Sequence, residues 1–230
     1  MPSESERRAA RLAGAAYLIA LPLSFFSEYY VFGKVIDPNS LTGSARLLQA
    51  HQQLFQLGTA SNFLVFVVDG ILIASLYWTL RRTSPFAALL ALVWRTLETA
   101  LLLVALVFDM QVAKIVSAPS YLAGQSSTEL ALLARLAISA HSAAYNSALV
   151  FAGLGSAVFA VLWWRSAYLP KWLAGFGVIA SVILATGTFI VIPFPAARSL
   201  FTSDVYGDPI GIFELVAGAW LLFVGIRRTE

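Results

Sequence analysis

The sequence contains no cysteine, which excludes disulfide bonds, thiolate catalysis, iron–sulfur ligation and palmitoylation. Lysine is also scarce. Lys34, Lys114 and Lys171 all fall in predicted loops, so no buried amine is available for a retinal-type Schiff base. The chain also lacks a phosphate-cradling glycine loop, a nucleophile elbow and a dinucleotide fingerprint. These absences exclude several common classes of enzyme and photoreceptor.

Charged residues make up only 12% of the chain, against about 25% in an average soluble protein. Hydrophobic residues make up 59%, and they form six apolar runs near the ~20 residues needed to cross ~30 Å of hydrocarbon. Irregular backbone cannot face lipid and no run alternates like a barrel strand, so the sequence predicts an all-α, polytopic membrane helical bundle. No domain boundary is visible, and residues 1–230 are predicted to form a single integral membrane domain. The six predicted transmembrane helices cover residues 12–32, 54–80, 86–110, 141–164, 172–193 and 210–226.

The basic residues predict the orientation of the helices, because they concentrate on the cytoplasmic side of membrane proteins. With the N-terminus inside, that side receives Arg7, Arg8, Arg11, Arg81, Arg82, Arg165, Lys171, Arg227 and Arg228. The outer side then receives Lys34, Lys114 and Arg198, with Arg46 and Arg135 in outer segments. Both termini are therefore predicted to be cytoplasmic. Topology and lipid headgroups explain the net charge of +3, so nucleic acid is not an expected partner.

The connections between the helices are short on the inner side and long on the outer side. Tight turns before Pro85 and Pro170 predict two antiparallel helix pairs, because proline is favoured at the start of a helix. On the outer side, residues 33–53 contain a helical stretch, and residues 130–140 are predicted to lie on the surface as a prelude to the fourth span. The tryptophans near the span ends are typical of an interfacial aromatic belt. They are Trp78, Trp163, Trp164 and Trp172.

Two charges, Arg95 and Glu98, interrupt the third apolar run. A central Arg costs about 2.5–3.5 kcal/mol on insertion scales, so such residues face protein or water and mark candidate functional sites. Counting about 1.5 Å per residue from the inner boundary puts Asp69, Arg95, Glu98 and Glu214 at a depth of about 15–19 Å, near the midplane. Arg95 and Glu98 also share a helical face. The sequence therefore predicts a charged layer in the middle of the bundle.

The charge balance of this layer indicates that its residues do more than fix the packing of the helices. Three carboxylates face one guanidinium, and like charges a few ångströms apart cannot all ionise in a low-dielectric site. At least one carboxylate should therefore be protonated or matched by a bound cation. Asp69 could satisfy Arg95, which would leave Glu98 and Glu214 as the proton- or cation-binding candidates. The alternative is a self-paired salt-bridge network that only fixes helix packing.

Further polar residues follow from this layer toward the outer boundary. The depth count places Glu28 at about 24 Å and Asn62 and Asn146 at about 27 Å, with His141 and Asp109 near the boundary. These positions predict a polar cavity that is open to the outside. The first hypothesis is therefore a small transporter or sensor for a proton, a cation or a small amphipathic ligand. Its predicted ligand-binding residues are Asp69, Arg95, Glu98, Glu214, Glu28, Asn62 and Asn146.

The second hypothesis is a membrane enzyme, such as a metal-dependent lipid hydrolase near the outer leaflet. Imidazoles with carboxylates suit zinc or non-haem iron. His141, Asp109 and Glu28 are weak candidate ligands, and the enzyme hypothesis adds Glu214 to them. No two of these residues have the spacing that places ligands on one helical face. His51 and His141 could also hold a haem. A third hypothesis is a structural membrane subunit without a ligand, and the oligomeric state is not determined.

Four segments of the chain together resemble a known family. They are Arg7–Leu18, Trp94–Glu98, Tyr168–Gly175 and Phe213–Leu222, and their order and spacing extend over nearly the whole chain. In these segments the chain resembles a large group of bacterial multi-pass membrane proteins that is catalogued only as a domain of unknown function, with Lys171 where an arginine is expected. The resemblance implies six helices and a bacterial inner membrane. It implies no catalytic residue.

Overall fold

The structure, a computed structural model, describes residues 2–35, 41–116, 124–199 and 203–226. Within these ranges it is helical and contains no strand. The helices are α1 (Glu4–Ser24), α2 (Phe32–Val35), α3 (Leu41–Ala50), α4 (Gln52–Leu80), α5 (Pro85–Val116), α6 (Ser127–Ser166), α7 (Lys171–Val191) and α8 (Ser203–Ala219). Two π-helical segments, Phe25–Val31 and Trp220–Val224, continue α1 and α8, and a 3₁₀ turn, Pro195–Ser199, follows α7.

Among the residues that the structure describes, six helical stretches are long and apolar enough to cross a membrane, and they confirm the predicted number of spans and the all-α fold. The protein is therefore a multi-pass membrane protein in contact with a lipid bilayer. The cytoplasmic position of the termini stays a prediction, and Arg227, Arg228 and the side chain of Arg198 lie outside what the structure describes. The stretches are Glu4–Val35, Gln52–Leu80, Pro85–Ile115, Thr128–Ser166, Lys171–Val191 and Val205–Val224.

Helix α6 is much longer than the predicted fourth span. Its 40 residues extend over about 60 Å at about 1.5 Å per residue, twice the thickness of the hydrocarbon. Residues 130–140, predicted as a separate prelude, form its first turns because no glycine or proline interrupts the Leu- and Ala-rich sequence before Gly153. Lys34, Lys114 and Lys171, all predicted in loops, also lie in helices, although all three are exposed.

The described chain divides into two compact units. Unit 1 comprises residues Met1–Leu21, Val67–Ala100 and Asn146–Glu230, and unit 2 comprises Pro22–Phe66 and Leu101–Tyr145. Each unit has its own buried apolar cluster. The single domain predicted for residues 1–230 stays a prediction.

Unit 1 contains both of the predicted tight turns. Helix α4 ends at Leu80 and α5 begins at Pro85, while α6 ends at Ser166 and α7 begins directly after Pro170.

The prediction that Trp163 belongs to an interfacial belt is wrong: it is 1% exposed and packs in the core of unit 1. A neighbouring helical position points about 100° away, so the adjacent Trp164 is 46% exposed.

Two close contacts fix the position of α1 in unit 1. At Gly14, an added Cβ would lie 2.5 Å from the backbone nitrogen of Leu222, so only glycine permits this approach of two helices. At the start of α1, Ser3 and Glu6 form a capping box, and the buried Glu6 lies 3.1 Å from Nε of Arg82. Burial, and then the negative charge of Glu6, raise the pKa of the nearby Tyr168 phenol.

Candidate functional site

The charged residues predicted near the midplane lie together in unit 1. We call this group the Arg95 cluster. Its members come from five helices and are largely buried, with Arg95 6% and Asp69 7% exposed. The cluster consists of Tyr17 of α1, Asp69 of α4, Arg95 and Glu98 of α5, Ser156 of α6 and Glu214 of α8.

One guanidinium nitrogen makes most of the contacts in this cluster. Nη1 of Arg95 lies 2.9 Å from Oε2 of Glu98 and 3.9 Å from Oε1 of Glu214. The same nitrogen donates a hydrogen bond of 3.3 Å to Oγ of Ser156. The contact with Glu98 is close but not aligned as a hydrogen bond, so that carboxylate oxygen is buried without a donor among the described residues. Nη1 of Arg95 therefore lies near two carboxylates without donating a hydrogen bond to either of them.

Asp69 has no direct partner within the part of the chain that the structure describes. Its side chain is buried and interacts electrostatically with Arg95, but no cation lies within 4 Å and no hydrogen bond reaches it there. The sequence left open which carboxylate pairs with Arg95, and Glu98 and Glu214 lie nearer to it than Asp69 does. The reason is the direction of the Arg95 side chain, which sequence spacing does not define.

Small residues make room for the cluster. An added Cβ at Gly155 would lie 2.7 Å from Cγ of Arg95 and 3.2 Å from the carbonyl oxygen of Ala91. At Gly218 an added Cβ would lie 2.8 Å from Cβ of Tyr17. These two glycines therefore let the stem of Arg95 and Cβ of Tyr17 approach the backbone of neighbouring helices closely.

A second polar group lies in unit 2, and we call it the His141 cluster. It begins in the π-helical segment after Pro22, where Ser27 and Glu28 lie on a widened turn. Proline removes a backbone donor, and π-bulges are frequent at functional sites. The members of the cluster are Ser27, Glu28, Asn62, Asp109 and His141.

Asn62 links the residues of the π-helical segment. Its Oδ1 accepts a hydrogen bond of 2.5 Å from Oγ of Ser27, and its Nδ2 donates one of 2.9 Å to Oε1 of Glu28. Ser61, on the same helix, donates a hydrogen bond of 3.0 Å to the carbonyl oxygen of Leu23. Helix α4 thus binds the widened turn through its side chains.

His141 is held by contacts with two aromatic rings and at one ring nitrogen. Its ring stacks with those of Phe32 and Tyr145, with centroids 5.2 and 5.8 Å away. Nδ1 lies 3.0 Å from Oδ1 of Asp109 and 3.3 Å from the carbonyl oxygen of Ala105. Because both neighbours are acceptors, we assign the ring proton to Nδ1. The imidazole is therefore a hydrogen-bonded, fixed side chain.

The His141 cluster borders a cavity of about 20 Å³, lined by residues that include Glu28, Asn62 and Asp109. This volume has room for about one water molecule. Throughout the described ranges, no group of three or more His, Asp and Glu side chains lies close enough to hold a metal ion. His51, the second candidate haem ligand, is exposed at the turn between α3 and α4.

The predicted site residues thus fall into two groups rather than one. Asp69, Arg95, Glu98 and Glu214 form the first group, and Glu28, Asn62, Asp109 and His141 form the second. Glu214 therefore does not join the other candidate metal ligands. Asn146 lies half-buried on α6.

Sequence reasoning missed two members of the Arg95 cluster, Tyr17 and Ser156. The one available signal was the position of Tyr17 inside the first span, away from the ends where interfacial tyrosines lie. Ser156 gave no signal, because hydroxyl groups are common in packed membrane helices.

Comparison with known proteins gives a family but no function. No curated protein and no solved structure matches the chain. A family model described as "Domain of unknown function (DUF4386)" matches residues 12–225. This match covers nearly the whole chain, and the protein therefore belongs to the DUF4386 family of unknown function.

Proposed function

We propose that the protein is a membrane-embedded proton-binding protein, a small transporter or sensor, in which the Arg95 cluster takes up and releases a proton. The observation that carries this proposal is the charge of the cluster. Three largely buried carboxylates surround a single guanidinium. If all of them ionised, the cluster would hold two uncompensated negative charges in a low-dielectric site.

A proton suits this cluster better than a metal cation. Arg95 is permanently charged, and its Nη1 already lies within 4 Å of both Glu98 and Glu214. A metal ion entering the same space would be repelled by the guanidinium, whereas a proton removes one negative charge without needing a coordination shell. We therefore favour proton binding among the ligands that the charge balance allows.

Asp69 is the carboxylate that best carries this proton. Glu98 is closest to Arg95, and Glu214 shares the same nitrogen at a longer distance. Asp69 is as buried as Glu98 but has no cation within 4 Å among the described residues. An unpaired buried carboxylate is stabilised in its neutral form. We expect the proton to enter from the outer face, because the depth count along the helices places the further polar residues on that side.

Infrared spectroscopy of the purified protein in nanodiscs tests this proposal. The carbonyl band of a protonated carboxyl group should grow in wild-type protein as the pH is lowered. Asp69→Asn should remove the band, while Glu98→Gln and Glu214→Gln should retain it with a changed pH midpoint, because each removes a neighbouring charge. Glu4→Gln is the matched control, since the Glu4 carboxylate is exposed and pairs with Arg8.

The outcomes separate a functional from a purely structural cluster. A wild-type protein without a titrating band, or an identical band in all three variants of the cluster, would refute proton binding and favour a structural role. If the band is present, proteoliposomes that contain a pH-sensitive dye distinguish the two forms of the proposal. A proton flux that Asp69→Asn abolishes indicates transport, and titration without flux indicates sensing.

A further inference from the structure

Unit 2 carries a groove that the proposed proton site does not use. It lies between one face of α4 and the last turns of α5, with Leu48 of α3 beside it. Its volume of about 530 Å³ is within the range of small-molecule sites. Both α4 and α5 are membrane-spanning helices. A molecule that reaches the groove from outside the bundle therefore comes first from the bilayer.

The groove has a polar end. Gln52 and Gln56 are one turn apart at the start of α4, and Lys114 lies in the last turn of α5. The two helices run antiparallel from the turn between Leu80 and Pro85, so Lys114 is level with Gln52 across the groove. All three side chains are exposed. This end presents one ammonium group and two amides.

The opposite end of the groove is apolar. Ala60 and Phe63 continue the face of α4 that begins with Gln52, and Met110 and Ala113 face them from α5. Phe63 is 47% exposed. From Gln52 to Phe63 the helix rises by about 16 Å, roughly half of the ~30 Å hydrocarbon thickness. The groove is therefore as long as the hydrocarbon region of one leaflet is deep.

We propose that this groove binds an anionic phospholipid, with its phosphate at Lys114 and one acyl chain along Ala60 and Phe63. Among the described lining residues only Lys114 is charged, so the polar end is complementary to a negative headgroup. The glutamine amides can donate hydrogen bonds to phosphate or ester oxygens. The order of polar and apolar residues along the groove matches the order of headgroup and chain in a lipid of the adjacent leaflet.

Native mass spectrometry of the delipidated protein in detergent tests the site. Phosphatidylglycerol and phosphatidylcholine with identical chains are titrated in parallel. We expect the wild-type protein to bind phosphatidylglycerol about fivefold more tightly, the preference that one lysine near a membrane surface supports. Lys114→Gln should reduce phosphatidylglycerol binding to the phosphatidylcholine level. Ala60→Phe should weaken the binding of both lipids, because it fills the path of the chain.

Two matched controls lie outside the groove lining. Lys34→Gln removes another exposed lysine of unit 2, and Val67→Phe enlarges another exposed apolar residue of α4. Both should bind as the wild type does. Equal binding of the two lipids by wild-type protein, or an unchanged preference in Lys114→Gln, overturns the proposal. So does binding of glycerol phosphate as tight as that of the lipid, which would identify a phosphate site without a chain.

Discussion

In the Arg95 cluster one guanidinium nitrogen is shared by two carboxylates and a hydroxyl group, and Asp69 has no direct partner among the described residues. In the His141 cluster, by contrast, each carboxylate has its own donor. Glu28 accepts a hydrogen bond from Asn62, and Asp109 lies beside Nδ1 of His141. Burial does not distinguish the clusters, since Arg95 is 6% and His141 7% exposed.

The difference between the clusters lies in the number and kind of their charges. A histidine and an asparagine can match two carboxylates with hydrogen bonds, and the histidine can gain or lose a proton. An arginine keeps its charge, so the protonation of the three carboxylates near it must change instead. We therefore expect the Arg95 cluster to respond strongly to the loss of its single cation, and the His141 cluster to respond more weakly to the loss of one hydrogen-bonding residue.

Arg95→Ala should have the largest effect. It leaves Asp69, Glu98 and Glu214 buried without a cation, and breaking a buried ion pair in this way costs about 3–5 kcal/mol. The free energy of unfolding in detergent micelles measures the change. Arg8→Ala is the control, because the pair of Arg8 with Glu4 is exposed and should contribute nothing measurable. A loss below about 1 kcal/mol would show that the carboxylates do not depend on Arg95.

His141→Phe should have an intermediate effect. The new ring retains the stacking with Phe32 and Tyr145 but removes the donor to Asp109. The loss of a hydrogen bond to a charged group costs about 1.5–3 kcal/mol, again measured as the free energy of unfolding. The same substitution at the exposed His51 should change stability by less than about 0.5 kcal/mol. A loss as large as that of Arg95→Ala would abolish the distinction between the two clusters.

Gly155→Ala should have the smallest effect. It tests whether the Arg95 cluster tolerates a displacement of the Arg95 side chain. Its Cβ would meet the stem of Arg95 and the carbonyl oxygen of Ala91, and we expect a loss of about 1 kcal/mol from overpacking. At Gly70, also in a helix of unit 1, an added Cβ meets nothing within 4 Å. Gly70→Ala should therefore be neutral or slightly stabilising. Equal results for the two variants would mean that Arg95 moves without cost.

The number of spans and the position of the four charges near the middle of their helices could be predicted from the sequence, because both depend on counts along a single helix. The pairing inside the Arg95 cluster could not. Which carboxylate lies nearest to Arg95 depends on the rotation of α4, α5 and α8 about their axes and on the side-chain torsions of the arginine. Depth counting contains neither quantity, and it therefore left open which carboxylate pairs with Arg95.

Burial also differed between residues that the sequence treats alike. Trp163 and Trp164 are neighbours at the end of one predicted span, yet the first is 1% and the second 46% exposed. Glu6, beside the exposed Arg7 and Arg8, is 2% exposed. In each case the face of the helix decides the environment, and the face is known only when the neighbouring helices are in place.

By itself, the sequence determined that this is a membrane protein with six membrane-spanning helices and that charged residues lie near the middle of three of them. Hydrophobic length and the need to satisfy every backbone group in lipid leave few other solutions. The tertiary structure alone decided that the polar residues form two clusters with different charge balances, and that Asp69 is the carboxylate without a partner among the described residues. Contacts between side chains of different helices depend on packing over a few ångströms, which a one-dimensional pattern does not specify.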